Sequence, residues 1–347
     1  MKLFVRPVRQ ESEAQELLNI LQTNLPNLDH ARRFSWLYRN NPDGPACSWF
    51  VLQGSSNQVV GAASIFPRSM WIGTQLKLCG QVGDFAISAS HRSLGPALLL
   101  QRASFEPVDQ GKLAFCYDCP PHRAGMSTFV RLGIQPNCRV DRYALPLRVD
   151  TRLRKQFGSS LALAARAGNL FLRLQRRPSL SKRSNDIEVC EHNGTFGDEF
   201  SLLDSAVTGP NVIRGQRSAA HLNWRYKEDP LHQYRVLTAR RRGNLIGFAV
   251  FRLVGEIVTV MDLFGTELKE TAFALLAAIV ERFEKSHETI EAFLSEGHEL
   301  VNVFLEMHFR LRSEAAQVVA YAKSQAEVSE FLKRSPNWSF NQVEIRS

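Results

Sequence analysis

Arg92, Gly95 and Ala97 stand in the pattern Arg-x-x-Gly-x-Ala, a spacing suited to holding a phosphate or pyrophosphate. Arginine supplies a charged donor for such a group. Glycine has no Cβ, so a ligand can come close to the backbone there. The other donors would be main-chain N–H groups. These are free at the start of a helix, where the helix dipole also favours an anion. The pattern is neither the P-loop nor the Rossmann fingerprint. Asp84, Tyr117 and Asp118 are the nearby groups that could move protons. Cys116-x-x-Cys119 is a lone pair, and the cysteines at 47, 79, 138 and 190 offer no second pair at a zinc-site spacing. Residues three apart on a strand also face opposite ways. No metal is expected.

A strand, a turn and a helix must place these residues. Phe85 and Ile87 alternate with small residues over 84–88, which reads as a strand. A turn follows at 90–94. Pro96 suits the first turn of a helix, because the amide it lacks would have no partner there. The run 97–100 is rich in strong helix formers.

The surrounding chain reads as strand 3–8, helices 11–21 and 30–39, a hairpin of 49–53 with 59–66, and strands 75–82 and 84–88. Helix 95–105, strand 112–117, helix 122–132 and strand 139–147 complete the order, with Gly133 stopping the last helix. A second, similar run follows. Trp36-x-Tyr38-Arg39-x-Asn41-Pro42 returns as Trp224-x-Tyr226-Lys227-x-Asp229-Pro230. Strands at 257–264, 289–294 and 316–321 and helices at 268–284 and 298–309 then repeat the order. A repeat this long means duplicated domains rather than a solenoid.

Residues 84–98 resemble the acyl-CoA-binding motif of the GNAT N-acetyltransferase superfamily, and the element order over 1–147 is similar to that fold. The chain looks like a tandem member with a degenerate second copy. The resemblance implies a mixed α/β (α+β) protein: two domains, each a mostly antiparallel twisted sheet flanked by helices. It divides the chain into an acyl-CoA-binding domain at 1–147, a basic linker at 148–185 and a degenerate domain at 186–347. It implies that Arg92, Ser93, Gly95 and Ala97 hold the pyrophosphate of acetyl-CoA or another acyl-CoA, that Ile87 meets the pantetheine arm, and that His122 lies near the cofactor. Asp84 and Asp118 are the candidate bases, with Tyr117 beside them. Phe129 stands where many members carry the tyrosine that protonates the leaving thiolate, so that acid is missing. Pro96 removes one donor. In the second copy, Gly265-Thr266-Glu267-Leu268-Lys269-Glu270 lacks the motif, and its glutamates would repel a pyrophosphate. The implied activity is acyl transfer from acyl-CoA to an amine: a small molecule, a sugar or a peptide. The alternatives are a non-catalytic acyl-CoA-binding or interaction protein, or an aminoacyl-tRNA-dependent transferase of the tandem type.

The chain has 347 residues, 44% of them hydrophobic and 22% charged, as expected of a soluble two-domain protein. Its start turns polar at once, so no signal peptide is read there, and no run is apolar enough to span a bilayer. The few scattered cysteines suit reduced thiols in the cytoplasm. Residues 148–183 hold ten basic residues against Asp150 alone, a net of +9 that equals the charge of the whole chain. Leucines are interleaved with these arginines. The segment reads either as a solvated connector or as a basic amphipathic stretch in peripheral contact with an anionic membrane at its inner face. No aromatic stacking ladder accompanies the charge, which speaks against nucleic acid.

Overall fold

The computed structural model describes residues 2–54, 56–120, 123–149, 167–175, 184, 186–323 and 327–345. The first half contains β1 (Leu3–Pro7), α1 (Gln10–Asn24), α2 (His30–Phe34), β2 (Cys47–Gln53), β3 (Gln58–Ile72), β4 (Gln75–Ile87), α3 (Leu94–Asp109), β5 (Cys116–Asp118), α4 (Arg123–Arg131) and β6 (Pro136–Pro146). Helix α5 spans 167–175. The second half contains β7 (Ile187–Glu191), α6 (Asp198–Ala206), β8 (Ile213–Gly215), α7 (Ala219–Tyr226), β9 (Arg235–Arg241), β10 (Asn244–Val254), β11 (Ile257–Gly265), α8 (Leu268–Phe283), β12 (Thr289–Ser295), α9 (Leu300–Glu306), β13 (Arg310–Tyr321), α10 (Glu327–Leu332) and α11 (Gln342–Ile345).

Mixed α/β architecture with sheets flanked by helices is what the chain adopts. Among the differences from the sequence reading, two bear on the site. The strands expected at 75–82 and 84–88 are one strand, β4, which passes through a bulge opposite Ala62 and Ser64 of β3. Asp84 sits in that bulge with φ +48°, a left-handed conformation that an aspartate tolerates better than most residues. The second detail is that the sheet is continuous across both halves. Among the described residues it has 13 strands, and the order along its main path is β1-β2-β3-β4-β5-β13-β6-β12-β11-β10-β9-β7. The pairs β4–β5 and β11–β12 are parallel. They are joined by the crossover helices α3 and α8, as parallel neighbours require.

The join is an exchange of end strands. β6 closes the first half in sequence, yet it pairs with β12 from Thr289↔Pro146 to Ser295↔Val140. β13 closes the second half, yet it pairs with β5 of the first at Val319, Ala320 and Tyr321. Tyr321 is anchored there by stacking on Phe105 at 4.1 Å and by donating to Asp109 at 2.7 Å.

Helices cover both faces. On one face α3 buries Leu100, Ala103, Phe105 and Val108 against Val51, Ile65 and Val82. On the same face α8 and α9 cover Tyr143, Leu145, Val258 and Ile290. On the other face α1 and α2 cover Phe50, Ala62 and Ala86, and α6 and α7 cover Val236, Phe248 and Val250. Between them Trp338 and Phe340 pack on Phe115, Tyr117 and Val140. The repeated Trp-x-Tyr motifs meet on this face. Trp36 and Trp224 stack at 4.8 Å, and each indole N–H donates to the other's main-chain carbonyl, at 2.8 and 2.9 Å.

Most of the basic segment 148–183 lies outside the described residues, and so does the connector reading placed on it. Its described part, α5, leaves Leu170, Phe171 and Leu174 exposed and pairs Arg173 with Glu284. No helix among the described residues is long and apolar enough to cross a membrane.

Candidate functional site

The parallel ladder between β4 and β5 is two residues long, Gly80↔Cys116 and Gln81↔Tyr117. β4 then runs on to Ile87 without β5 beside it. The two strands part here, and beyond Gln81 the edge of β4 on the β5 side pairs with no strand among the described residues. Phe85 and Ile87 are partly buried and pack toward the α3 core. The bulge at Asp84 disrupts the ladder at the level where the strands part.

At the top of β4 the chain turns into α3. Ser93 is the N-cap, in extended conformation, and its side chain makes no capping bond. No acidic residue stands in the first turn. The leading N–H groups of α3 are therefore not satisfied by a cap and face a positive dipole end. Arg92, Ser93 and Gly95 are exposed. A Cβ built on Gly95 would meet nothing within 4 Å. The space in front of it is open, which is what a bound pyrophosphate needs. The Arg92 side chain folds back, its Nε donating to the Ile87 carbonyl at 3.3 Å. Ala97 is buried, so only its backbone is available to a ligand.

The proton-moving candidates separate into three environments. The Asp84 side chain is 5% exposed, and both its oxygens are taken. One accepts from Arg33, and the other from the Tyr38 hydroxyl at 2.7 Å. The same arrangement stands in the second half. There Asp262 accepts from Arg217 at 2.9 Å and from the Tyr226 hydroxyl at 3.4 Å. Asp84 is thus a buried clamp between β4 and the helices beneath it.

Asp118 ends β5 where the strands part, and it keeps partial exposure. Burial pushes its carboxyl up to about 7, against a bond from the Cys119 N–H that works the other way. A carboxyl poised near neutrality suits a general base. Tyr117 is 1% exposed and points through the opposite face of the sheet, with its hydroxyl unpartnered among Phe115 and Phe340. Burial lifts that hydroxyl well above its usual range. The structure therefore does not bring Tyr117 and Asp118 to one point. Phe129 is buried against Phe105 at 6.1 Å and offers no proton. His122 lies outside the described residues. Cys116 packs in the α3 core and Cys119 in the core on the other face.

The corresponding gap in the second half is partly occupied. β11 and β12 pair from Ile257↔Thr289 to Val260↔Ala292 and then part. The C-terminal segment enters the gap. Asn341 donates to Asp262 at 2.6 Å, the Ser295 N–H donates to the Phe340 carbonyl at 2.9 Å, and Glu344 accepts from Arg217 at 3.0 Å. At the start of α8, Glu267 and Glu270 both pair with Arg241. A groove of about 410 Å³ remains beside them, bordered by Arg214, Thr266, Glu267 and His298. Carboxylates stand where the first half is open. The occupying tail could not be read from residue types. The glutamates at the helix start could.

Solved structures of low sequence identity share this architecture. A conserved protein from Enterococcus faecalis, described as a probable N-acyltransferase, matches 93% of this chain and 72% of its own at 12% identity, with a TM-score of 0.66. A GCN5-related N-acetyltransferase from Anabaena variabilis matches 92% of this chain and 72% of its own at 12% identity, also at 0.66. One from Kribbella flavida matches 92% and 71% at 15% identity, at 0.60. At such identities the likeness is one of fold. No protein-family model matches the chain, and no curated protein matches it in sequence.

Proposed function

We propose that the chain is an N-acyltransferase that uses acyl-CoA, with one active cleft, in the first half. The observation that carries this reading is the unpaired edge of β4 leading into the uncapped, open start of α3 at Gly95. The shared fold with N-acetyltransferases supports it at the level of the class. In this reading the pyrophosphate lies on the N–H groups at the start of α3, with Arg92 turning outward to meet it. The pantetheine arm runs along β4 past Ile87, and the acyl group reaches the bulge above Asp118. The second half is a copy whose cleft serves the fold, with its own tail and the Glu267 and Glu270 carboxylates in the cofactor's place.

Acyl transfer needs position more than covalent help. Asp118 takes a proton from the acceptor ammonium. The neutral amine bonds to the thioester carbonyl carbon, and the C–S bond breaks as the adduct collapses. The second nitrogen proton reaches the leaving thiolate through solvent, because Phe129 cannot supply one. Calorimetry with acetyl-CoA tests the cofactor site. One molecule should bind per chain, and Gly95→Glu should abolish binding by placing a side chain and a negative charge in the open space. Unchanged affinity in that variant would sink the assignment. Release of free thiol from acetyl-CoA with an amine panel separates an enzyme from a binding protein.

A further inference from the structure

A second edge is unpaired where β5 ends. It is β13 before Val319, and its exposure begins with two prolines. In the second half β12 pairs with β6 over seven positions, ending at Ser295↔Val140. In the first half the equivalent strand β5 pairs with β13 over three, ending at Asp118↔Val319. Cys119 is followed by Pro120 and Pro121. Proline has no N–H to give a ladder, so the strand stops. On its β5 side, the backbone of residues 310–317 then bonds to nothing among the described residues. Residues 310–315 are exposed throughout. Two bulges, at Leu311/Ser313 and Glu314/Ala316, twist this edge and protect it against indiscriminate pairing. Arg310 and Arg312 are exposed on it and form no ion pair among the described residues, while Glu314, the one acid of 310–317, lies near Arg139.

We infer that this edge takes the acceptor, and that the acceptor is the terminal amine of an extended peptide with acidic side chains. The inference rests on the acyltransferase reading above. Between the two bulges the edge still offers main-chain N–H and C=O groups, which a peptide strand can meet and a sugar or polyamine cannot. Acidic side chains find Arg310 and Arg312. A strand added in line with β5 ends beside Asp118, where its amine loses a proton.

The test uses acetyl-CoA as donor and three acceptors: a hexapeptide of alternating glutamate and valine, the same peptide with arginine for glutamate, and glucosamine. Thiol release should favour the acidic peptide over the basic one by about tenfold in kcat/KM, the size expected of two exposed ion pairs. The double variant Arg310→Glu, Arg312→Glu should reverse that order while binding acetyl-CoA with the same affinity. Hydrogen exchange should show the acidic peptide protecting amides of 310–317. Equal use of both peptides, or preference for glucosamine, overturns the inference. If acetyl-CoA binds but no amine is acylated, the acyltransferase reading fails alone. Protection of 310–317 then still supports the edge as a peptide site, and its absence overturns it.

Discussion

Two aspartates on neighbouring strands have opposite fates. Asp84 is held by Arg33 and Tyr38, while Asp118 is lifted to about 7 by burial with few partners. The rate of acyl transfer should therefore rise with pH through a limb near 7 as Asp118 loses its proton, and Asp118→Asn should remove that limb. The sign for stability is the reverse. A carboxyl raised in the folded state binds its proton more tightly there than in the unfolded chain. Its contribution is present below about 4 and lost as pH climbs toward 7. Asp118→Asn should thus raise the melting temperature at pH 8 and leave it nearly unchanged at pH 4. Asp84→Asn should do something different. It removes a buried carboxylate from Arg33, which costs about 3–5 kcal/mol for such pairs. Urea unfolding should show that loss, and the limb near pH 7 should persist in whatever folded enzyme remains. A limb lost with Asp84 and kept without Asp118 would exchange their roles.

At the scale of the element, the start of α3 is built for a ligand at the expense of the helix. A serine N-cap that makes no bond, a glycine in the first turn and an open space all forgo local stability. Gly95→Ala should raise stability by about 0.5 kcal/mol, since the methyl meets nothing and stiffens the unfolded chain. The same change should weaken acetyl-CoA binding, because the methyl stands where the pyrophosphate approaches. Denaturation and calorimetry on the one variant would read both effects. Tighter binding would place the ligand elsewhere.

At the scale of the molecule, the exchanged strands make the halves interdependent. A chain cut after residue 147 keeps β6 but loses β13, so β5 and β6 have no partner between them. It also loses Trp224, and with it the reciprocal indole bonds. Bare edges of this kind pair with other chains. Expressed alone, residues 1–147 should aggregate or unfold, and co-expression with 186–347 should recover a soluble complex. A stable, monomeric 1–147 fragment with native-like circular dichroism would contradict this.

What the sequence by itself determined is local. The alternation at Phe85 and Ile87, the turn before Gly95 and the helix formers after Pro96 prescribe a strand, a turn and an open helix start, because period and turn chemistry act over a few residues. Glu267 and Glu270 likewise state in advance that the second helix start is closed to an anion. The paired prolines after Cys119 stop a strand for the same local reason, though what they expose depends on a neighbour about 200 residues away. Only the tertiary structure decided the rest. That Asp84 is a clamp follows from Arg33 and Tyr38, which reach it across some 50 residues. That Tyr117 turns away from Asp118 is local, since neighbours on a strand face opposite ways; only the tertiary structure decided that Phe340 and Trp338 cover the Tyr117 face. That β6 and β13 change places follows from edges competing for partners over the whole chain. Strand pairing is a contest between distant segments, and no window of neighbouring residues records its outcome.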